Sequence, residues 1–166
     1  MSDSLIINHD NYPDSYIRDI LISVRSIAMV GASINWKRPS NFVMKYLIQK
    51  GYRVIPVNKN SAGDQIYDQT VYPDLASVQE TVDMVDMFRP SKEAPQLVED
   101  AIKIGAKIFW MQFEVRNDKA AKIAQEAGMK VVMNRCPKIE YARLFGELGW
   151  GGFNTGVISV KRRRIL

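Results

Sequence analysis

Residues 26–33 read Ser26-Ile27-Ala28-Met29-Val30-Gly31-Ala32-Ser33, with Arg38-Pro39-Ser40 shortly after them, and the change of pattern across this stretch decides the fold. The unbroken apolar run from Ile27 to Val30 suits a strand covered on both faces. It stops at Gly31, and a helical pattern takes over at Pro39, whose fixed φ suits a first helical turn. Val43, Tyr46, Leu47 and Lys50 keep helical spacing, Gly51 ends the helix, and a second apolar run follows, Val54-Ile55-Pro56-Val57. Strand, helix and strand in this order form the repeating unit of an alternating α/β fold.

Outward from this unit the pattern repeats. Short β-rich runs start at Ser26, Arg53, Val82, Lys107 and Lys130, spaced 23 to 29 residues apart, the length of a strand, a helix and two loops. The fourth run contains Ile108-Phe109-Trp110-Met111 and the fifth Val131-Val132-Met133. Ser91 is expected to cap a helix carrying Leu97, Val98, Ala101 and Ile102 on one face and closed by Gly105. Asn117 is expected to cap another, with Ala120, Ala121, Ile123, Ala124 and Ala127 inside and Gly128 after it. A lead-in helix from about residue 14 to 25, with Ile17, Ile20, Leu21 and Val24 on one face, packs on the sheet.

The prediction is a Rossmann-like, doubly wound α/β fold with a five-stranded parallel sheet, in the order 3-2-1-4-5 counting runs along the chain. The third run, Val82-Asp83-Met84-Val85-Asp86, goes to the edge because charge interrupts it most. Residues 58 to 72 are irregular and polar, a candidate loop or lid.

Composition narrows the function classes. With 166 residues, 46% of them hydrophobic and 25% charged, the chain reads as one globular domain over 1–166, not a disordered one. A single cysteine, Cys136, allows no internal disulfide, and no targeting segment is evident, so a reducing, cytoplasmic setting is expected. No run approaches the roughly 20 apolar residues of a bilayer span, so no membrane partner is expected. Without Lys161, Arg162, Arg163 and Arg164 the net charge falls from +5 to +1. A short basic end supplies only salt-sensitive attraction, and no nucleic-acid partner is expected. The segment from about 146 to 166 holds five of the ten glycines together with Trp150 and Phe153; it packs over the fold or against a second subunit, making a homodimer a candidate.

In open α/β sheets, ligands bind outside the carboxyl ends of the strands, where the strand order reverses. Gly31 and Ala32 let a ligand approach the backbone, and amide groups with the positive end of a helix favour a phosphate. Ser33 and Ser40 add hydroxyls, and Arg38 adds a guanidinium fork. Neither G-x-x-x-x-G-K-[ST] nor G-x-G-x-x-G is present. At the second strand end, where an NAD site places an acid, stand Asn58 and Lys59. A cation there favours a phosphorylated ribose, which NADP and coenzyme A both carry. Phe88 and Arg89, Gln112 and Asn134 come to the same edge, suited to an adenine ring, a phosphate, and amide or hydroxyl groups respectively.

These residues carry a family resemblance. Gly31-Ala32-Ser33 with Arg38-Pro39-Ser40, then Val57-Asn58, Val85-Asp86-Met87-Phe88-Arg89, Trp110-Met111-Gln112 and Arg135-Cys136-Pro137-Lys138 resemble the small stand-alone CoA-binding domain proteins. That family is similar in fold to the nucleotide-binding domain of the succinyl-CoA synthetase alpha subunit. The match runs from about Arg18 to Gly156. It implies coenzyme A or an acyl-CoA as cofactor, held at the first-strand loop and second-strand end by a non-catalytic carrier, sensor or regulator. Two positions depart from the pattern: Lys59 where the family often has proline, and Glu114 where related chains usually have glycine. The alternatives are an NADP-linked reductase and a thiol-dependent acyltransferase. The sole histidine, His9, precedes the first helix with no triad or metal pattern around it. Cys136 is the one possible nucleophile and would need Arg135 or the following helix to lower its pKa; the preferred reading is a small buried residue before a fixed turn.

Overall fold

Strand β1 (Ser26–Val30) has a neighbour on each side, and its two pairings organise the sheet. In the computed structural model, which describes residues 7–146, β1 pairs in parallel with β2 (Arg53–Val57) and with β3 (Met84–Met87). Then come β4 (Ile108–Met111) and β5 (Lys130–Val132), also parallel. The doubly wound, five-stranded class is the one expected. The order, β2-β1-β3-β4-β5, corrects the expected 3-2-1-4-5: the third run lies in the middle of the sheet, between β1 and β4.

The charges of that run do not mark an edge, for two physical reasons. Asp83 lies just before β3, where its carboxylate accepts the backbone N–H groups of Arg25 (2.8 Å) and Ser26 (3.1 Å). Asp86, inside the strand, is fully buried, and burial pushes its carboxyl well above the usual carboxylate range, so it enters the core as a neutral acid.

Side chains alternate along each strand and feed two cores. On one face Ile27, Met29, Val54 and Trp110 meet α1 (Asp14–Ser23), α2 (Pro39–Gln49) and α5 (Pro137–Leu144) through Leu21, Leu47 and Tyr141. On the other, Ala28, Ile55, Val85 and Phe109 meet α3 (Ala94–Lys103) and α4 (Asp118–Glu126) through Val98 and Ala124. Each fully buried large side chain contributes about 2 kcal/mol of burial. Asn117 caps α4 as expected, its Oδ1 accepting the Ala120 N–H at 2.9 Å. Ser91 does not cap a helix: it opens a 3-10 turn, Ser91–Glu93, and its Oγ accepts the Arg116 N–H. No described helix is long and apolar enough to cross a membrane. The glycine-rich and basic segment from 147 onward lies outside the described residues.

Both sheet edges are covered. Residues 58 to 72 contain a 3-10 turn and a short hairpin, Gln65–Ile66 with Gln69–Thr70. The Asn58 N–H donates to Tyr72 O (2.8 Å) and the Tyr72 N–H to Pro56 O (3.0 Å), so the expected irregular loop is a cover for the β2 edge. At β5 the cover is made of side chains. The Tyr16 hydroxyl donates to Val131 O (3.0 Å) and accepts the Val131 N–H (3.2 Å), while the Tyr12 hydroxyl accepts the Met133 N–H (2.8 Å). Burial pushes the Tyr12 phenol up to about 12, so it stays protonated in ordinary buffers. Tyr16→Phe removes both partners of Val131 and is expected to cost about 1–2 kcal/mol. Urea unfolding measures the loss, and hydrogen exchange should show the Val131 amide accelerated; an unchanged exchange rate would refute the edge role.

Candidate functional site

The turn after β1 is built on a glycine for a steric reason. Gly31 has φ +90°, and a Cβ there would lie 2.4 Å from the Phe88 carbonyl oxygen and 3.0 Å from Arg89 Cδ. The β1 turn is thus pressed against the turn after β3. The Gly31 N–H donates to Val57 O at 2.8 Å, and the Ala32 N–H reaches the same oxygen at 3.4 Å. These two amides are therefore not among the free N–H groups expected to favour a phosphate: they close the β1 turn onto β2. Asn58 braces the same junction, its Nδ2 donating to Ala32 O (2.9 Å) and its Oδ1 accepting the Asn60 N–H (3.0 Å).

The loop into α2 is tied by its own polar groups. The Ser33 N–H donates to Ser40 Oγ (3.1 Å), Ser33 Oγ accepts the Asn35 N–H (3.1 Å), and Asn41 Nδ2 donates to Ser33 O (2.9 Å). The Tyr67 hydroxyl donates to Asn41 Oδ1, holding the hairpin against α2. Ser40 is buried, whereas Arg38 is exposed just before the helix.

Beside this junction, on the α3 side, lies a cavity of about 240 Å³. Val30, Val57, Leu75 and Leu97 supply apolar walls, while Gly31, Asn58, Lys59 and Arg89 stand around them. Three acids, Asp74, Glu93 and Asp100, also line it. Arg89 grips Glu93 through two bonds of 2.8 Å, and this pairing, with Lys92 and Lys59 adding to it, holds the Glu93 carboxyl below its usual value. Asp74 is occupied by the Ser77 N–H (2.8 Å) and hydroxyl (2.7 Å).

The sequence-derived residues divide accordingly. Gly31, Asn58, Lys59 and Arg89 border the cavity; Ala32, Ser33, Arg38 and Ser40 form or adjoin the neighbouring loop. Three others do not reach the cavity. Phe88 packs with the core of the opposite sheet face, against the expectation that it stacks on an adenine there. Asn134, at φ +56°, accepts the Glu114 N–H through Oδ1 (2.7 Å) and so joins two turns instead of facing a ligand. Glu114 itself has φ +69°, a left-handed conformation that glycine would adopt without strain. Gln112 is buried, and its side chain bonds the Cys136 thiol. Burial pushes the Cys136 thiol up, outweighing the Lys138 and Ile139 backbone donors at its sulfur, so the lowering that a nucleophile would need is not found and the residue is the small buried one before a turn. Leu75 carried no signal of its own, and Leu97 and Asp86 stood out only as a helix-face residue and as a charge within a motif, because only the fold brings them to their places.

A family model described as CoA binding domain matches residues 25–142. The chain is 32% identical over 126 residues to the uncharacterized protein YneT of Bacillus subtilis (strain 168), covering 76% of this chain and 92% of that one. It is 25% identical over 150 residues to acetate–CoA ligase (ADP-forming) II of Archaeoglobus fulgidus, covering 87% of this chain but only 20% of the ligase. Among solved structures, a hypothetical protein from Pyrococcus horikoshii OT3 matches with a TM-score of 0.78 at 41% identity, over 82% of this chain and 95% of that one. The cell-free ID.343 protein from Thermus thermophilus matches with a TM-score of 0.77 at 32% identity, over 80% and 99%.

Proposed function

The chain belongs to the CoA binding domain family, and from that premise we propose that it binds coenzyme A or an acyl-CoA as a non-catalytic carrier, sensor or regulator. The observation that carries this reading is the cavity at the ends of β1 and β2, which sets apolar walls beside Lys59 and Arg89 where the strand order reverses. Its volume, about 240 Å³, suits the adenosine half of the ligand and leaves the diphosphate and pantetheine arm to run along the sheet edge.

The adenine lies between Val30, Val57, Leu75 and Leu97. Lys59 faces the 3′-phosphate, and Arg38, exposed beside the first turn of α2, faces the diphosphate together with the positive end of that helix. Arg89 is shared between Glu93 and the ligand. Ser33 and Ser40 act by shaping the loop between them.

Isothermal titration with coenzyme A, dephospho-CoA and NADP tests the reading. Lys59→Ala is expected to weaken coenzyme A binding by about tenfold or more, the worth of one charge-assisted contact, and to leave dephospho-CoA unaffected. The melting temperature of the ligand-free variant should stay nearly unchanged, since Lys59 is exposed. Equal wild-type affinity for coenzyme A and dephospho-CoA would remove Lys59 from the phosphate, and tighter binding of NADP would sink the ligand assignment.

A further inference from the structure

On the sheet face opposite the cavity, near the ends of β3 and β4, three buried side chains meet that the nucleotide reading leaves unused. Cys136 caps the start of α5 and is 7% exposed. The side chain of Gln112, also 7% exposed, bonds its thiol, and the backbone N–H groups of Lys138 and Ile139 are directed at the sulfur. Asp86 lies near the same thiol.

Two of these groups are short of partners among the described residues. Gln112 Oε1 has no hydrogen-bond donor, and neither carboxyl oxygen of Asp86 has a partner although the residue is fully buried. Buried polar atoms left unpaired cost free energy, so a fold that keeps them beside its one thiol, at its ligand-binding edge, points to a ligand that uses them. The surroundings suit a flexible, partly apolar chain. Phe113 (60% exposed) follows Gln112, Ile139 (53%) lies on the first turn of α5, and Phe42 (42%) on the first turn of α2. The Lys138 ammonium sits 5.3 Å from the Phe42 ring centroid and links the two helices.

The strand spacing sets the reach. β4 lies two strands beyond β1 in the sheet, about 10 Å along the edge from the cavity. An extended pantetheine arm spans that distance, carries two amide N–H donors and ends in a thiol. We propose that Cys136 is a covalent attachment point for the thiol end of this ligand, formed by thiol–disulfide exchange with the symmetric disulfide of coenzyme A, with Gln112 Oε1 accepting a pantetheine amide. This rests on the coenzyme A reading above. The Cys136 sulfur, as thiolate, attacks one sulfur of the ligand disulfide, and that S–S bond breaks as the new one forms. The departing coenzyme A sulfur leaves with the electron pair and takes up the proton that Cys136 gave to solvent. Cys136 is oxidised and one coenzyme A is reduced, so no further oxidant enters.

The test is intact-mass spectrometry of the full chain after incubation with coenzyme A disulfide. The expected product has gained the mass of coenzyme A less two hydrogens, loses it to dithiothreitol, and is absent from Cys136→Ser and Cys136→Ala. Held by its nucleotide end, coenzyme A disulfide should react about tenfold faster than glutathione disulfide at equal concentration. Gln112→Leu should erase that preference, read as the ratio of the two rates, which cancels the change in thiol reactivity that follows from losing the Gln112 contact to the Cys136 sulfur. Titration of Cys136→Ser with reduced coenzyme A separates the two readings. Binding there without any adduct on the wild type overturns the covalent site and leaves the nucleotide reading intact. Equal rates with the two disulfides also overturn it, and no binding at all removes both.

Discussion

Gly31→Ala is expected to lower the free energy of unfolding by about 2–4 kcal/mol, a fall of roughly 10 °C in melting temperature. Two costs add. An L-residue held at φ +90° is strained by about 1–2 kcal/mol. The new methyl would also meet the Phe88 carbonyl oxygen at 2.4 Å, and because that atom is backbone, no rotamer change relieves the contact. The β1 turn must therefore move away from the β3 turn, which stretches the Gly31 N–H bond to Val57 and displaces Arg89 at the cavity wall. Gly105→Ala is the control. Its φ is +78°, yet nothing lies within 4 Å of the added Cβ, so it carries the conformational cost alone. If urea unfolding gave the two variants the same loss, the close approach of the two turns would be refuted. Coenzyme A binding should fall in Gly31→Ala and persist in Gly105→Ala.

The second large effect belongs to Asp86 and depends on pH. Burial raises its folded pKa well above the unfolded value, so the native state holds this proton more tightly than the unfolded chain. Stability from this group is therefore complete below the unfolded carboxylate range, near pH 4, and is lost as pH rises toward the folded value. The paired carboxylates slope the other way: the Arg53 guanidinium holds Glu80 low, and the Arg89 guanidinium holds Glu93 low. Those pairs are common to the wild type and to Asp86→Asn, so the difference between the two proteins isolates Asp86. Asp86→Asn should exceed the wild type by on the order of 2 kcal/mol at pH 8 and lose that advantage at pH 4.5. Urea curves at the two pH values decide it; a constant difference would mean that Asp86 does not titrate between them.

The same residue shows how the strand order was missed. Asp83 and Asp86 look in sequence like marks of an exposed strand. In the fold, one is spent on the backbone amides of Arg25 and Ser26 and the other is buried as an acid, so neither reports on solvent. Phe88 and Gln112 do follow the carboxyl ends of their strands, but their side chains turn to the face opposite the cavity or into the core.

Local pattern alone determined the elements of this protein. Apolar runs, helical spacing, the Asn117 cap and the glycines after the helices are interactions between residues a few positions apart, so the sequence states them directly. The rule that ligands sit at carboxyl strand ends then picked out Gly31, Asn58, Lys59 and Arg89 around the cavity. Tertiary structure alone decided which strand lies beside which, that the Gly31 and Ala32 amides are consumed by Val57, and that Gln112 and Asp86 meet Cys136. Each of these depends on partners brought from distant parts of the chain by helical crossovers, and a hydrogen-bond donor's final acceptor is not encoded next to the donor.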